Sequence, residues 1–482
     1  MKPVTVHPPF GDNAPAARLF YGVPVLDGLR QLTDNSVHTA CTSPPYWGLR
    51  DYGVDPQQWP RVEFTPVAGV PAVDIESQSI TLGLEDDPMA YVGHLVLVFR
   101  ELARVLRSDG TLWLNLGDSY AGSNASQGGD GTSSGLRRDG RREAVRVGSN
   151  RRDQERFTSQ DTQTKTRAGL KNKDLVGTPW RVAMALQADG WYLRSVIPWI
   201  KRNPMPESVR DRPSSGVEYI FLFGHPASGG RYFYDADAIR APVATPGRSS
   251  GNIRRKVATH NEEDRVNSHL GYAVPWEDQG VGRGRRNTDW FFESLEHILD
   301  GGQGLLLDPD GDPMVAGINP KPFPGAHFAV WPTTLVEPMV KAGTSEHGVC
   351  AACGTPWRRA VGRREAEDTG ANVGGCPDRH DGGHREVDPT GAGGNHMATR
   401  RVGTDQWKPG CDCDAELGRA VVLDLFAGSG STGVVATQLG REFVGIDLNA
   451  DYLEIAEARI TNSPVRSGEP HVEEGSVFDL FS

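Results

Sequence analysis

The sequence predicts an α/β protein with a doubly wound, mostly parallel sheet and helices on both faces. Three stretches carry that prediction. Residues 421–449, VVLDLFAGSGSTGVVATQLGREFVGIDLN, read as a buried strand, a glycine turn, a helix and a second strand, the unit from which parallel sheets are built. Residues 18–41 repeat the order on a smaller scale: RLFYGV as strand, VLDGLRQL as helix, then the strand VHTAC. Further on, YVGHLVLVFRELARVL places apolar residues at helical spacing, and TLWLNLGDSY follows as a strand.

Taken in order, the first unit turns through DNSV, whose Asp and Asn favour tight turns, and its last strand ends in Thr42-Ser43-Pro44-Pro45-Tyr46-Trp47. Two consecutive prolines fix φ and hold the preceding residue extended. A rigid turn is expected there, aiming Ser43 Oγ and the Pro44 carbonyl into one space beside the flat face of Tyr46. Acceptors next to a ring suit a planar base with an exocyclic amino group, drawn out of a duplex and read along its edge. An isolated Pro-Pro-Tyr, by contrast, is more often a strand-ending turn with an aromatic plug.

Residues 48–86 are proline-rich and expected to be irregular. Ser108-Asp109-Gly110 should stop the helix before the next strand. Asn115 and Asp118 close that strand, and ligands of doubly wound sheets bind at carboxyl ends of strands, although polar residues also simply begin loops. Residues 120–173 contain almost no apolar side chain, a composition that predicts a mobile loop. TPWRVAMALQADG then reads as a capped amphipathic helix ended by glycine, and WYLRSVIPWIKRNP as a strand with an edge-type proline. Lys201, Arg202 and Asn203 follow it and could reach DNA or a target base, or form an ordinary surface turn. EYIFLFGHP is a buried strand, and RYFYDADAIRAPV closes the first half. PTTLVEPMVKAG is a helix, and another spans 451–460, capped by Asn449 or Asp451.

The glycines of the last unit, Gly428, Gly430 and Gly433, fit GxGxxG, with Asp447 at 19 residues from the first. A dinucleotide fold uses the same pattern against a pyrophosphate. Asp424 and Phe426 fit that use less well. An acid before the turn repels a pyrophosphate and welcomes a cationic or amine-bearing ligand.

Together, TSPPYW near the start and DLFAGSGSTG near the end resemble the DNA amino-methyltransferases in their permuted (beta-type) arrangement. Residues 177–209, GTPWRVAMALQADGWYLRSVIPWIKRNPMPESV, and the segment PKPFPGAHFAVWPTTLVEPMVKAGTSEHG also look like that family. The resemblance implies the fold of the S-adenosylmethionine-dependent methyltransferases, with S-adenosylmethionine as cofactor and double-stranded DNA as substrate. Ser43, Pro44, Pro45 and Tyr46 take the catalytic positions. Asp424, Phe426, Gly428 and Gly430 take the cofactor loop, and Asp447 the acid that holds the ribose hydroxyls. A serine-headed tetrapeptide accompanies cytosine N4 more often than adenine N6, so cytosine is favoured, with adenine as alternative. A cognate restriction nuclease is left open as a partner. One departure from the family is visible: members often carry Gly-Asp after the first strand, whereas Gly22 is followed here by Val23, with Asp27 a candidate substitute.

The implied layout is a catalytic half over 1–240, a target-recognition region over 241–319, a pre-cofactor segment over 320–349, a cysteine-rich insertion over 350–418 and a cofactor half over 419–482. Arg and Asn in 241–319 are the side chains that read guanine and adenine edges. Two readings from other classes share these features. A nicotinamide-dependent oxidoreductase would use the glycines but leave TSPPYW unexplained, and a non-catalytic DNA-binding protein would use the cysteine cluster as its reader.

Composition sets the remaining bounds. The 482 residues suffice for one large α/β domain with additions, and 58 Gly and 34 Pro against 37% hydrophobic residues predict long loops without a core of their own. No apolar run approaches a membrane span, and the first 20 residues lack a signal pattern, so a cytoplasmic protein is expected. A formal charge of −11 argues against indiscriminate nucleic-acid binding. Local surplus exists nonetheless: residues 136–173 hold 12 Lys/Arg against 5 Asp/Glu, and 247–286 hold 8 against 5. Such stretches suit phosphates or water equally. Four of the six cysteines form CAAC at 350–353 and CDC at 411–413. Cys350, Cys353, Cys411 and Cys413 are expected to bind a structural zinc, four thiolates closing a tetrahedral site, with Cys376, His380 and His384 as rival ligands. Free thiols on an insertion are the plain alternative.

Overall fold

The computed structural model describes residues 3–7, 14–49, 52–121, 169–201, 211–213, 215–239, 316–317, 331–363 and 401–463. Its centre is a nine-stranded sheet. In chain order the strands are β1 (Val4–Val6), β2 (Ala17–Tyr21), β3 (Val37–Thr42), β4 (Leu106–Leu116), β5 (Tyr192–Ile200), β6 (Val217–Gly224), β7 (Ala316–Gly317), β8 (Val421–Asp424) and β9 (Glu442–Asp447). Across the sheet they run β1-β2-β9-β8-β3-β4-β6-β5-β7. The five strands from β2 to β4 are mutually parallel, and β6 pairs antiparallel with both β4 and β5. The expected mostly parallel α/β sheet is present.

Among the described residues six helices cover both faces: α1 (Val25–Arg30), α2 (Pro88–Val105), α3 (Thr178–Ala188), α4 (Thr333–Gly343), α5 (Ser431–Gln438) and α6 (Leu453–Thr461). The first three pack on one face with Leu29, Leu95, Phe99, Leu102, Val182 and Leu186. The other three pack on the opposite face with Leu335, Met339, Val435, Leu439, Ala456 and Ile460. Because the central strands are covered on both sides, β3 is buried along its whole length, which is why VHTACT reads as a continuous run rather than an alternation.

Local signals start and stop these elements much as the sequence predicts, with four differences. Leu106–Leu116 is one strand, so Ser108-Asp109-Gly110 does not precede it but sits inside it, absorbed by a register shift against β3. Residues 48–86 are not irregular. Gln57–Trp59 pairs with Gln78–Ile80 and Val62–Phe64 with Val73–Ile75, and this ribbon lies on α2, with Trp59 stacked on the His94 ring at 4.4 Å. Its three-residue strands between prolines are too short to show a period. The helix α3 has no side-chain cap of its own; Asp118 supplies one from β4's end, accepting from the Gly177 and Thr178 N–H groups at 3.1 Å. Asn449 caps a short 3-10 turn, Ala450–Tyr452, that leads into α6.

The cysteine segment forms a small module. Val349–Cys350 pairs with Leu417–Gly418, and Arg358–Arg363 pairs with Arg401–Lys408. The target-recognition region lies outside the described residues apart from 316–317, as do most of the basic loop, Arg202, Asn203, Cys376, His380 and His384. Among the described residues no helix is long and apolar enough to cross a membrane.

The third glycine of the GxGxxG pattern has a packing role. A Cβ on Gly433 would lie 2.7 Å from both Ile460 and Phe443, so α5 approaches β9 and α6 only because that position is bare. Gly433→Ala is expected to lower stability by about 1–3 kcal/mol, as overpacking of a tight core does. A urea midpoint equal to that of the unmodified protein would contradict this packing account.

Candidate active site

Strands β3 and β8 are parallel neighbours, with Thr39 opposite Val422 and Ala40 opposite Leu423. The turn after β3 and the glycine loop after β8 therefore leave the same edge of the sheet side by side. Side chains tie them together: Thr42 Oγ1 donates to Asp424 Oδ1 at 2.8 Å and accepts from the Leu425 N–H at 3.2 Å. Asp424 is buried, and it also receives Thr432 Oγ1 at 2.6 Å and the Phe426 N–H at 3.1 Å. Burial pushes its carboxyl up to about 6 in spite of these donors. It braces the loop from inside.

The loop itself depends on two left-handed glycines, Gly428 at φ +50° and Gly430 at φ +77°, a conformation that L side chains adopt only at a cost. Gly430 is further constrained by room, since a Cβ there would meet Ala456 Cβ at 3.0 Å. Asp447, half-buried at the end of β9, reaches across to accept the Gly428 N–H at 2.7 Å through one oxygen and the Asn449 N–H at 2.8 Å through the other. Its carboxyl is also pushed up to about 6, by burial first and by the Asp424 charge in addition.

Two residues that hold this loop escaped the sequence reading. Tyr21, the last residue of β2, donates its hydroxyl to the Gly428 carbonyl at 2.7 Å. Arg459 on α6 donates to the Ser429 carbonyl at 2.7 Å and to Ser431 Oγ at 3.1 Å. Neither carries a local signature. Asp27, the candidate replacement for an acid after Gly22, instead pairs with Arg30 at 3.0 Å on an exposed turn of α1.

The Ser-Pro-Pro-Tyr turn is fixed on its outer side. The Pro45 carbonyl accepts Tyr91 Oη at 2.8 Å, and Trp47 Nε1 donates to the Glu85 carbonyl at 2.9 Å. Glu85 is in turn locked between His94 Nδ1 and the Gly83 N–H, both at 2.8 Å. On its inner side, Ser43 Oγ donates to Tyr46 Oη at 3.3 Å, and Tyr46 Oη donates to Glu218 Oε2 on β6 at 2.8 Å. Asn115 Nδ2 donates to Tyr46 Oη at 2.8 Å and to Glu218 Oε2 at 3.1 Å. Lys201, at the end of β5, pairs with the other oxygen of Glu218 and lies over the Trp199 ring. Burial first, and then the Glu218 charge, hold the Tyr46 phenol well above its ordinary range, so it stays a neutral hydroxyl. The Tyr46 ring needs the bare backbone of Gly117, where a Cβ would lie 2.5 Å from the ring.

The sequence-predicted residues thus fall into two adjacent loops, with Asn115 and Lys201 joining the first. Asp118 does not join them, being spent on the cap of α3. Cys41 is buried on the far side of β3, where burial pushes its thiol well up. It offers no nucleophile.

The profile of the N6/N4 DNA methylase family matches residues 37–351 and 416–458, segments that hold both loops. The chain belongs to that family of DNA methylases. It is 31% identical to the Type II methyltransferase M.Cfr9I of Citrobacter freundii over 92% of this chain and 87% of the relative. Against the Type II methyltransferase M.SmaI of Serratia marcescens it is 30% identical over 87% and 82%. Among solved structures, the cytosine-N4-specific PvuII DNA methyltransferase is similar at TM-score 0.37 and 12% identity, covering 98% of this chain and 94% of its own. The methylase is therefore an S-adenosylmethionine-dependent enzyme acting on DNA at a cytosine N4 or adenine N6 amino group, and the nicotinamide reading of the glycines falls away. So does the reading as a DNA-binding protein without catalysis.

Away from the site, the sulfurs of Cys350, Cys353, Cys411 and Cys413 all lie within 4.8 Å of one another. Burial works against ionisation of Cys353, but hydrogen bonds from Thr355 and then from the Cys411 and Cys350 thiols outweigh it and set the thiol down to about 6. The hydrogen bond with Cys353, followed by that with Cys411, pushes Cys413 up to about 12. One thiolate is thus stabilised at the expense of its neighbours.

Proposed function

We propose that the methylase transfers the methyl group to N4 of a cytosine flipped out of double-stranded DNA, with Ser43, Pro44, Pro45 and Tyr46 holding the base and Asp424, Phe426, Gly428, Gly430 and Asp447 forming the cofactor seat. The observation that carries this reading is the Thr42–Asp424 bond, which joins the two loops at one edge of the sheet. The cofactor residues fit the group: Gly428 and Gly430 bare the backbone by their left-handed φ, and Asp447 keeps lone pairs for further donors after its two backbone bonds. When bound, S-adenosylmethionine supplies an electrophilic methyl on a sulfonium.

The rest of the chemistry belongs to the chain. An exocyclic amino nitrogen is a poor nucleophile because its lone pair is delocalised into the ring. Ser43 Oγ and the Pro44 carbonyl, accepting its two N–H groups, favour the pyramidal nitrogen whose lone pair can attack. The gain is positional and electrostatic, since fixed acceptors meet positive charge as it develops. Serine at the head of the tetrapeptide favours cytosine over adenine. Nucleosides from DNA modified by the protein should contain N4-methylcytosine; N6-methyladenine alone would change the base and leave the mechanism standing.

Asp447 gives the cofactor step a pH dependence. Ribose hydroxyls donate to the carboxylate, while the free protein holds that carboxyl up to about 6, so binding favours the ionised form. Cofactor affinity should rise with pH through about 6 and level off above it, falling below by up to about tenfold per pH unit, the limit for one linked proton. Calorimetric titration across that range should show the slope and its loss in Asp447→Asn. A flat profile in the unmodified protein removes Asp447 from the ribose.

In this reading Cys350, Cys353, Cys411 and Cys413 hold a structural zinc. Sulfurs around one zinc at about 2.3 Å stand roughly 3.8 Å apart, and the four here all lie within 4.8 Å of one another. Four thiolates leave no position for a catalytic water. Metal analysis of protein purified without chelator should find one zinc per chain, and Cys353→Ser should lose the metal and thermal stability before it loses activity. A metal-free preparation of full stability would refute the site.

A further inference from the structure

The network on the inner side of the Ser-Pro-Pro-Tyr turn has a direction. Ser43 Oγ donates to Tyr46 Oη, and Tyr46 Oη donates to Glu218 Oε2. A carboxylate only accepts, so Glu218 fixes the order: each hydroxyl must point its proton toward it. The Ser43 proton is then turned away from the base; one lone pair of Oγ receives Asn115 Nδ2 at 3.4 Å, and the other is left for the amino group. The Ser43–Tyr46 distance of 3.3 Å is long, as catalytic hydrogen bonds often are before substrate draws them in.

Two further observations point to an unfinished site rather than a closed structural knot. Asn115 is 1% exposed, and its amide nitrogen is spent on Tyr46, Glu218 and, at 3.4 Å, Ser43 Oγ, while its Oδ1 has no partner. A buried acceptor left without a donor, in contact with the catalytic turn, is a place a ligand group fills. Glu218, moreover, opens a strand, VEYIFLFG, whose later residues are wholly buried, yet it is a carboxylate paired with Lys201 and largely out of solvent. Removing either charge there strands the other. Packing alone gives no reason for the pair.

We propose that Glu218 is the end of a hydroxyl chain that both orients Ser43 as an acceptor and receives the proton released by the amino nitrogen. This rests on the base-binding role of Ser43 proposed above. In the reaction the nitrogen lone pair forms the N–CH3 bond as the methyl–sulfur bond breaks, its electron pair remaining on sulfur. The nitrogen then carries a positive charge and one proton in excess. That proton passes to Ser43 Oγ as the Ser43 proton moves to Tyr46 Oη and the Tyr46 proton to the Glu218 carboxylate, so both hydroxyls end as they began. Lys201, paired with its other oxygen, holds Glu218 in place until then. It is a positioning residue, as is Glu218 in its orienting role. The titratable side chains facing Glu218 are Lys201 and Tyr46, with Tyr52 next to Tyr46.

The test is single-turnover transfer of labelled methyl to DNA by the full chain, over a range of pH, with cofactor and DNA affinities measured alongside. Glu218→Gln keeps the shape and removes the proton acceptor. It should lower the transfer rate about 10²–10⁴-fold, the usual worth of general acid–base catalysis, with both affinities within about threefold, and should abolish the fall in rate at low pH. Glu218→Asp should restore part of the rate together with that fall. Should Glu218→Gln not fold, Tyr46→Phe breaks the same chain by removing one oxygen and carries the same expectation. A rate within about threefold of the unmodified protein and an unchanged pH profile, in either folded variant, overturns the inference. Absence of transfer to DNA by the unmodified, cofactor-bound protein would overturn the proposed function instead, and this inference with it.

Discussion

The buried hydroxyl of Thr42 is the point on which the site depends. It bonds the Asp424 carboxylate and the Leu425 amide at once, and so fastens the turn after β3 to the loop after β8. The two segments are 382 residues apart in sequence. Burial of Asp424 carries a desolvation cost, visible in a carboxyl raised to about 6, and three donors offset it. Hydrogen bonds to a charged group contribute about 1.5–3 kcal/mol each. Asp424 thus earns its place by being surrounded: Thr42 from one loop, Thr432 from α5 and the Phe426 amide from its own loop. Loss of any one donor would leave part of a buried charge unmatched.

From that junction outward, each loop is held by residues on rigid elements. Tyr21 at the end of β2 and Arg459 on α6 fix the carbonyls of the glycine loop, while Tyr91 on α2 fixes the carbonyl of Pro45. Because these contacts occupy the outer sides, the polar atoms of Ser43, Tyr46, Asn115 and Asp447 are left to face inward. A transition state gains only from groups that need not move to meet it, and here the groups are held by strands and helices rather than by one another alone.

The helices and seven of the sheet's nine strands were legible in the sequence because each carries its own period or run; the edge strands Val4–Val6 and Ala316–Gly317 were not, being too short to show one. VHTACT, VVLD and EFVGID are short buried strands, and α2 has its apolar stripe. The two loops were legible because glycines and prolines advertise backbone conformation, and the cysteine cluster because both of its arms are local turns. Glu218, Tyr21 and Arg459 were not. Tyr21 and Glu218 act on partners 407 and 172 residues away, and Arg459 on Ser429 from beyond an intervening helix and strand; nothing in VEYIFLFG or LEIAEARIT separates a site residue from a surface one. The ribbon over 57–80 was missed for a different reason: its buried Trp59, Val62 and Phe64 are divided among strands of three residues, below the length at which alternation can be recognised.

Long additions sit in this fold without disturbing the sheet because each is pinched at its base. Ala121 and Asp174 close the segment after β4 through Ala121 N–H to the Asp174 carbonyl at 2.8 Å and Lys173 N–H to the Ala121 carbonyl at 2.7 Å, and Asp118 ties the same point to α3. The pairing of Val349–Cys350 with Leu417–Gly418 does the same for the cysteine module. Closing a loop of twice the length costs only about 0.6 kcal/mol more, which a few such bonds offset. The two additions also leave from opposite ends of the sheet. The segment after β4 departs beside Ser43, whereas the cysteine module grips the starts of the strands: the Gly354 carbonyl meets His38 Nε2 at 2.8 Å, the Cys353 carbonyl accepts Arg107 Nη1 at 2.7 Å, and His38 Nδ1 accepts the Val421 N–H at 3.0 Å. At about 3.3 Å per residue, His38 and Ser43 lie some 17 Å apart along β3. The cysteine module thus touches the starts of β3, β4 and β8, the strands whose far ends carry Ser43, Asn115 and Asp424, and its Arg359 also pairs with Asp235 and Glu346.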